Sequence, residues 1–224
     1  MATIKAFLVD VYDTILDSSL HERAGLIADV AGVPREEWTR AWLGLSRERD
    51  TGALTMAGAF THALTACGRA PDPALVEKLV AADAELLLSR TSVYSDTAPF
   101  FEAARAQGIA VVLVSNCGYS TRGMLTAKGL LDLVDGAVLS CEVGTAKPDP
   151  EIYQIALRSL GVPAADAVFL DDQRGYCAGA AAVGVRPIQV VRPTAGAGAD
   201  ADAGRADPRY TPVTSLAEVL PLVR

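Results

Sequence analysis

The chain has 224 residues, half of them hydrophobic, with 20 Lys and Arg against 27 Asp and Glu and a formal net charge of −7. That size suits one large domain or a core with a small second one, and the apolar content is ample for a real core. The acidic balance repels nucleic-acid phosphates, no basic run interleaved with aromatics occurs, and the longest wholly apolar stretches, such as Ala110–Val114, are far too short to span a membrane.

Ile4–Val9 reads as a first strand and delivers Asp10 to a turn that also carries Asp13 and Thr14. A carboxylate at the C-terminal tip of a strand in an open α/β sheet lies where such folds bind ligands. There it can be a nucleophile, a metal ligand or both, although Asp is also an ordinary residue for leaving a strand. Lys5 and Asp10 interrupt any secretory pattern at the N-terminus, so the expected compartment is the cytoplasm.

From about Asp17 to Arg90 the texture is helical and holds no convincing strand. Blocks fall at His21–Ala31, Arg35–Arg49, Thr55–Ala66 and Pro73–Leu88, separated by Gly32, Gly52 and the run Gly68 to Pro71. Trp38 and Trp42 are four apart and share a helix face, a spacing more typical of core than of a cofactor platform. The charged residues Arg40, Arg47, Glu48, Arg49 and Asp50 read as a solvated helix end, with Arg47 or Arg49 as alternatives for meeting an acidic substrate group.

After Ser95 strands and helices alternate: Pro99–Gln107 helix, Ala110–Ser115 strand, Arg122–Lys128 helix, Ala137–Ser140 strand, Pro150–Leu160 helix, Ala167–Leu170 strand, Ala178–Val183 helix and Pro187–Val191 strand. Such alternation implies an α/β fold, a Rossmann-like doubly wound parallel sheet. The core then comprises residues 1–16 and 91–224, with 17–90 as an all-helical insertion over the sheet's C-terminal edge. Pro193–Pro208, rich in Ala, Gly and Asp, reads as a mobile loop, and Ser215–Val223 as a final helix.

Three later strand ends add to Asp10. Ala110–Val114 runs into Ser115 and Asn116, a hydroxyl and an amide able to bind an anion or simply to form a turn. Lys147 precedes the helix start Pro148-Asp149-Pro150, which fixes the backbone from which its ammonium reaches; a lone lysine is otherwise a solvated surface group. Val168–Leu170 runs into Asp171 and Asp172, and adjacent like charges call for a cation or a helix N-terminus. They read as a helix cap or as a magnesium site shared with Asp10.

Strand-Asp, strand-Ser, Lys-Pro and strand-Asp-Asp, in that order and spacing, resemble the haloacid dehalogenase superfamily over about residues 4 to 191. The resemblance implies that Asp10 is the nucleophile and that Ser115 and Lys147 bind the transferring group. It implies that Asp171 and Asp172 hold Mg²⁺ with Asp10 and the Tyr12 carbonyl, that Thr14 supports the first loop, and that residues 17–90 form a cap. Asn116 becomes a substrate-binding candidate. Arg174 can add to the charge screening or be a solvated arginine.

The chain departs from the family's phosphatases at Tyr12, where they carry the aspartate that serves as general acid and base. A phenol with an unperturbed pKa of about 10 donates a hydrogen bond near neutrality but is a poor base. Asp13 is one position off and points elsewhere. Tyr12 resembles the family's 2-haloacid dehalogenases, whose leaving halide needs no proton. Those enzymes lack the paired metal-binding carboxylates kept here, and Tyr176 stands where they carry an aspartate for the hydrolytic water. Three readings follow: a magnesium-dependent phosphatase, slow for want of the usual base; a haloacid dehalogenase; and a weakened binding or regulatory protein with the same fold. The expected partner is a small anionic substrate, without nucleic acid or membrane, and the expected state is a monomer or homodimer.

Cys67, Cys117, Cys141 and Cys177 lack CxxC spacing and read as small buried thiols in a reducing cytoplasm. His21 and His62, both in helical stretches, supply neither a Ser-His-Asp triad nor a zinc site.

Overall fold

A computed structural model describes residues 3–17, 20–192 and 209–223. The strands are β1 (Ala6–Val9), β2 (Leu16–Asp17), β3 (Ser92–Val93), β4 (Ala110–Ser115), β5 (Gly136–Leu139), β6 (Ala167–Asp171), β7 (Arg186–Val190) and β8 (Thr211–Val213). The helices are α1 (Leu20–Ala31), α2 (Arg35–Gly44), α3 (Ser46–Asp50), α4 (Met56–Ala66), α5 (Pro73–Ser89), α6 (Thr97–Ala106), α7 (Ser120–Ala127), α8 (Ser140–Val143), α9 (Pro150–Leu160), α10 (Arg174–Ala182) and α11 (Val219–Leu222).

Six strands form one parallel sheet in the order β5-β4-β1-β6-β7-β8. β1 lies between β4 and β6, pairing Val9 with Leu113 on one side and Leu170 on the other. All four β1 residues are buried, as a strand covered on both faces requires. Phe7 and Val9 face one apolar cluster, where the Phe7 and Phe100 rings stand 5.0 Å apart. Ala6 and Leu8 face the other, with Tyr153 edge-on to Phe169 at 5.2 Å. The alternation is that of a pleated strand.

The helices α1, α2, α4 and α5 pack around a third cluster of their own. Its centre is a stack of Trp38, Trp42 and Phe60, with ring centroids 4.9 to 6.0 Å apart. Thr55 caps α4 by accepting from Gly58 N–H at 3.1 Å, as its sequence position suggests. Asp72 does the same for α5 ahead of Pro73. The chain leaves the sheet layer through β2 and returns through β3, and these two short strands pair antiparallel.

Several expectations shift. Arg35–Arg49 is two helices, broken at Leu45 after Gly44, because glycine weakens a helix. Ser140 opens α8 instead of closing β5. β2, β3 and β8 have no counterpart in the sequence reading, since two or three residues carry no periodicity and β8 contains Pro212. α10 begins four residues before the expected Ala178, at Arg174, because Gly175 and Gly179 dilute the helical pattern. The final segment is a 3₁₀ turn over Leu216–Glu218 followed by α11, started by a Ser215/Glu218 capping box. The loop expected at Pro193–Pro208 lies outside the described residues. Among the described residues no helix is long and apolar enough to cross a membrane.

Because Trp38 is fully buried at the centre of the helical cluster, Trp38→Ala should cost about 3–5 kcal/mol. Leu43→Ala, at a side chain 52% exposed, should cost under about 0.5 kcal/mol. Urea unfolding followed by circular dichroism checks both.

Candidate active site

Asp10, Ser115 and Asp171 stand at the C-terminal ends of β1, β4 and β6, three adjacent strands, so parallel pairing alone gathers them on one edge. Asp10 N–H donates to the Leu170 carbonyl at 2.8 Å, tying the tip of β1 to that of β6. Ser115 is fully buried, and its hydroxyl has no hydrogen-bond partner among the described residues. Such an orphan is costly unless a ligand meets it.

Lys147 reaches into the same space. Its Nζ donates to Asp10 Oδ1 at 2.5 Å and to Asp171 Oδ2 at 2.6 Å, with the lysine side chain 1% exposed. The ammonium also lies 4.7 Å from the Tyr176 ring centroid. Burial alone would discharge it; the two carboxylates outweigh that and hold its pKa above the ordinary lysine value. Lys147 is thus a fixed buried cation, and the solvated-lysine alternative falls away.

Asn116 directly follows β4. Its Oδ1 accepts from Lys147 N–H at 2.7 Å, and its Nδ2 donates to the Lys147 carbonyl at 2.8 Å and to Tyr176 Oη at 3.2 Å. Its amide therefore clamps the peptide that carries the ammonium. Asp149 caps α9 next to it, accepting from Glu151 N–H at 2.9 Å.

Oxygens of Asp10, Asp171 and Asp172 lie within 4.8 Å of one another, and all three residues are buried. Asp171 Oδ1 accepts from Gln173 N–H at 2.7 Å, while Asp172 Oδ1 is buried without a hydrogen-bond partner among the described residues. Burial, then the neighbouring carboxylates, push the Asp172 carboxyl upward; burial pushes Asp171 upward too, against Lys147. Three carboxylates facing one ammonium leave the site short of positive charge. An all-oxygen donor set of this kind fits a hard divalent cation such as Mg²⁺.

The first loop completes the site. Tyr12 Oη bonds Thr121 Oγ1 at 2.7 Å, and burial raises its pKa, so the phenol stays protonated. Thr14 is fully buried, with an orphan hydroxyl among the described residues and a carbonyl held by Arg192. Arg174 is half-buried at the start of α10, just beyond the paired aspartates.

The charged cluster after Arg40 divides instead of being one solvated helix end. Arg40, Arg47 and Glu48 are exposed; Arg49 is half-buried with its guanidinium 4.0 Å from the Trp42 ring centroid. Asp50 is half-buried as well, and burial raises its pKa while Arg49 and Lys147 pull it back. The next turn presses on the sheet edge: Tyr119 Oη donates to the Gly52 carbonyl at 3.3 Å, and a Cβ at Gly52 would fall 2.0 Å from the Cys141 carbonyl oxygen. Glycine is required there by contact as well as by its φ of +70°. No local pattern marks Asp50 among its charged neighbours, or Arg192; Gly52, two residues after Asp50, is the one sequence signal of a close approach. The four cysteines are free; Cys117, Cys141 and Cys177 are buried as expected and Cys67, at the C-terminal end of α4, is only half-buried, while His62 is exposed and bonds the Gly58 carbonyl within its own helix.

Lys147→Met leaves the Asp10 and Asp171 carboxylates buried without their counter-charge. It should lower stability by about 3–5 kcal/mol at neutral pH, read as a fall in the urea midpoint. An unchanged midpoint would mean that the ammonium does not balance these carboxylates.

The sequence matches the haloacid dehalogenase-like hydrolase family over residues 4–184. It is 38% identical over 101 residues to phosphatase MT3486 of Mycobacterium tuberculosis, covering 44% of this chain and 46% of that protein. It is 31% identical over 163 residues to phosphoserine phosphatase of Thermus thermophilus, covering 71% of this chain and 60% of the relative. The chain thus matches only about half the length of these two phosphatases. An (S)-2-haloacid dehalogenase of Burkholderia cepacia is 27% identical over 85% of this chain and 84% of its own. In fold, 2-haloacid dehalogenase from Pseudomonas syringae pv. Tomato DC3000 superposes with a TM-score of 0.73 at 26% identity, over 99% of this chain and 98% of that one. The matched span carries every strand-end residue described above, and the chain belongs to the haloacid dehalogenase-like hydrolases.

Proposed function

We propose that this hydrolase is a magnesium-dependent phosphatase acting on a small phosphorylated metabolite. The observation that carries the reading is the set of three buried carboxylates, Asp10, Asp171 and Asp172, with oxygens within 4.8 Å of one another beside a single ammonium. An anionic carboxylate attacks an anionic phosphate only where positive charge offsets both. Lys147 supplies one such charge. Asp10, Asp171, Asp172 and the Tyr12 carbonyl would hold Mg²⁺, whose chemistry is to supply the other.

In this reading Asp10 attacks phosphorus, a carboxylate–phosphorus bond forms and the ester oxygen departs with its electron pair. Water then attacks phosphorus, the bond to the Asp10 oxygen breaks, and phosphate leaves with Asp10 restored; the proton that the water gives up balances the one the departed ester oxygen takes to become the alcohol. The Ser115 hydroxyl meets a phosphoryl oxygen, and Thr14 supports the loop. Asn116 serves by holding the Lys147 peptide, and Arg174 adds positive charge at the α10 start. Residues 17–90 act as the cap that shapes the substrate pocket. The phosphatases among the relatives support the reaction class.

Tyr12 supports a second reading, hydrolysis of 2-haloacids. Its phenol is bonded to Thr121 and raised in pKa by burial, a donor rather than a base, and halide departure needs no proton. The dehalogenase relative is consistent with it.

Turnover of p-nitrophenyl phosphate and of 2-chloropropionate, each with and without Mg²⁺, separates the two. We expect calorimetric Mg²⁺ binding at millimolar concentration, phosphatase turnover that depends on it, and none in Asp10→Asn. Metal-independent loss of chloride from 2-chloropropionate would replace the phosphatase reading.

A further expectation concerns the missing base. General base catalysis contributes roughly 10²–10⁴-fold, so the wild type should be slow on simple esters and Tyr12→Asp should recover much of that range. Fast wild-type turnover unchanged by Tyr12→Asp would mean that another carboxylate already serves, with Asp50 the candidate from the helical layer.

A further inference from the structure

Arg192, two residues beyond β7, is a second buried cation at this edge of the sheet, with a side chain 5% exposed. Its Nε and Nη2 both donate to the Thr14 carbonyl, at 3.0 and 2.7 Å. Its Nη1 and Nη2 donate to Asp96 at 2.7 and 3.0 Å, and the guanidinium lies 4.2 Å from the Tyr94 ring centroid. Asp96 also accepts from Ser215 Oγ at 2.7 Å and Leu216 N–H at 2.8 Å.

These contacts gather where the chain leaves the sheet layer and returns to it. Thr14 stands two residues before β2, and Tyr94 and Asp96 follow β3 closely. Ile15 joins them, its carbonyl accepting from Tyr94 N–H at 3.1 Å and Thr97 Oγ1 at 3.1 Å. Between Asp10 and Thr14 there is little slack. Ile15 and Leu16 N–H both donate to the Val11 carbonyl, at 3.0 and 3.0 Å, and Asp13 N–H donates to the Leu16 carbonyl at 2.6 Å. A force on the Thr14 peptide is therefore passed through one tight turn to Asp10 and the Tyr12 carbonyl.

We propose that Arg192 is a positioning residue for the nucleophile loop, its guanidinium holding the Thr14 peptide against Asp96 so that Asp10 and the Tyr12 carbonyl keep their directions. A plain ion pair tethering the C-terminal segment would need only the Asp96 contacts. Here two of the donor atoms are turned to a backbone carbonyl of the loop, a fork that lysine cannot reproduce.

The reading rests on the phosphatase proposal for its kinetic arm only. With p-nitrophenyl phosphate and Mg²⁺, Arg192→Gln should lower kcat by about tenfold or more, since small misplacement of reacting groups is costly, and leave KM within about twofold. Arg192→Lys should recover part of the loss. Amide hydrogen exchange in Arg192→Gln should quicken over residues 10–17 and stay unchanged in β4 and β5. Leu216→Ala is the control: it removes fully buried packing beside Asp96 without touching Thr14, so it should lower Tm yet keep kcat. An Arg192→Gln enzyme with unaltered kcat, or a Leu216→Ala enzyme that loses kcat as much, would overturn the proposal. If the wild type lacks phosphatase turnover, the function proposed above fails, and exchange over residues 10–17 still decides this one: no change there overturns it.

Discussion

Lys147 keeps its charge where water is excluded, and it does so because Asp10 and Asp171 stand at hydrogen-bond distance. Removing either kind of partner would leave an uncompensated buried ion, a far larger penalty than any surface pair could impose. The surroundings follow from that demand. Asn116 grips both sides of the Lys147 peptide, Asp149 caps the helix that continues from it, and the Tyr176 ring lies against the ammonium. With the third carboxylate, Asp172, the negative charge exceeds what one lysine balances, and the same geometry that stabilises the lysine leaves room for a cation's chemistry.

The sheet supplies the precision. β1 is central and pairs on both sides, so the ends of β4, β1 and β6 are held to strand spacing without help from loops. Burial on both faces makes those strands hard to displace, since any slip would cost apolar contact in two clusters at once. The loop after β1 has no such support from the ladder and is instead closed on itself and gripped from outside by Arg192. Lys147 and Arg192 thus secure the two ends of one short loop, one through the carboxylate at its start and the other through a carbonyl four residues on.

The helical layer has its own core and comes close to the sheet edge at Gly52, where an added Cβ would meet the Cys141 carbonyl. A further point is Asp83 on α5, which accepts from Ser120 Oγ at 3.1 Å, next to the Thr121 that holds Tyr12. Contacts of this kind put the tyrosine that separates the two chemical readings under the influence of the helices as well as of the loop that carries it.

The sequence by itself determined the alternating architecture and the strand-end positions of Asp10, Ser115, Asp171 and Asp172. Fully apolar runs ending in polar residues are local signals, and parallel pairing turns them into one edge. The helices between β2 and β3 are legible too, most of them being long enough to show a period. Only the tertiary structure decided that Asn116 holds the Lys147 peptide and that Asp50 turns inward while Arg47 stays out. It also decided that Arg192 reaches Thr14 across 178 residues of chain. The reason is physical: burial and donor–acceptor pairing between distant segments depend on which surfaces the fold brings together, and no local pattern of residue types records that.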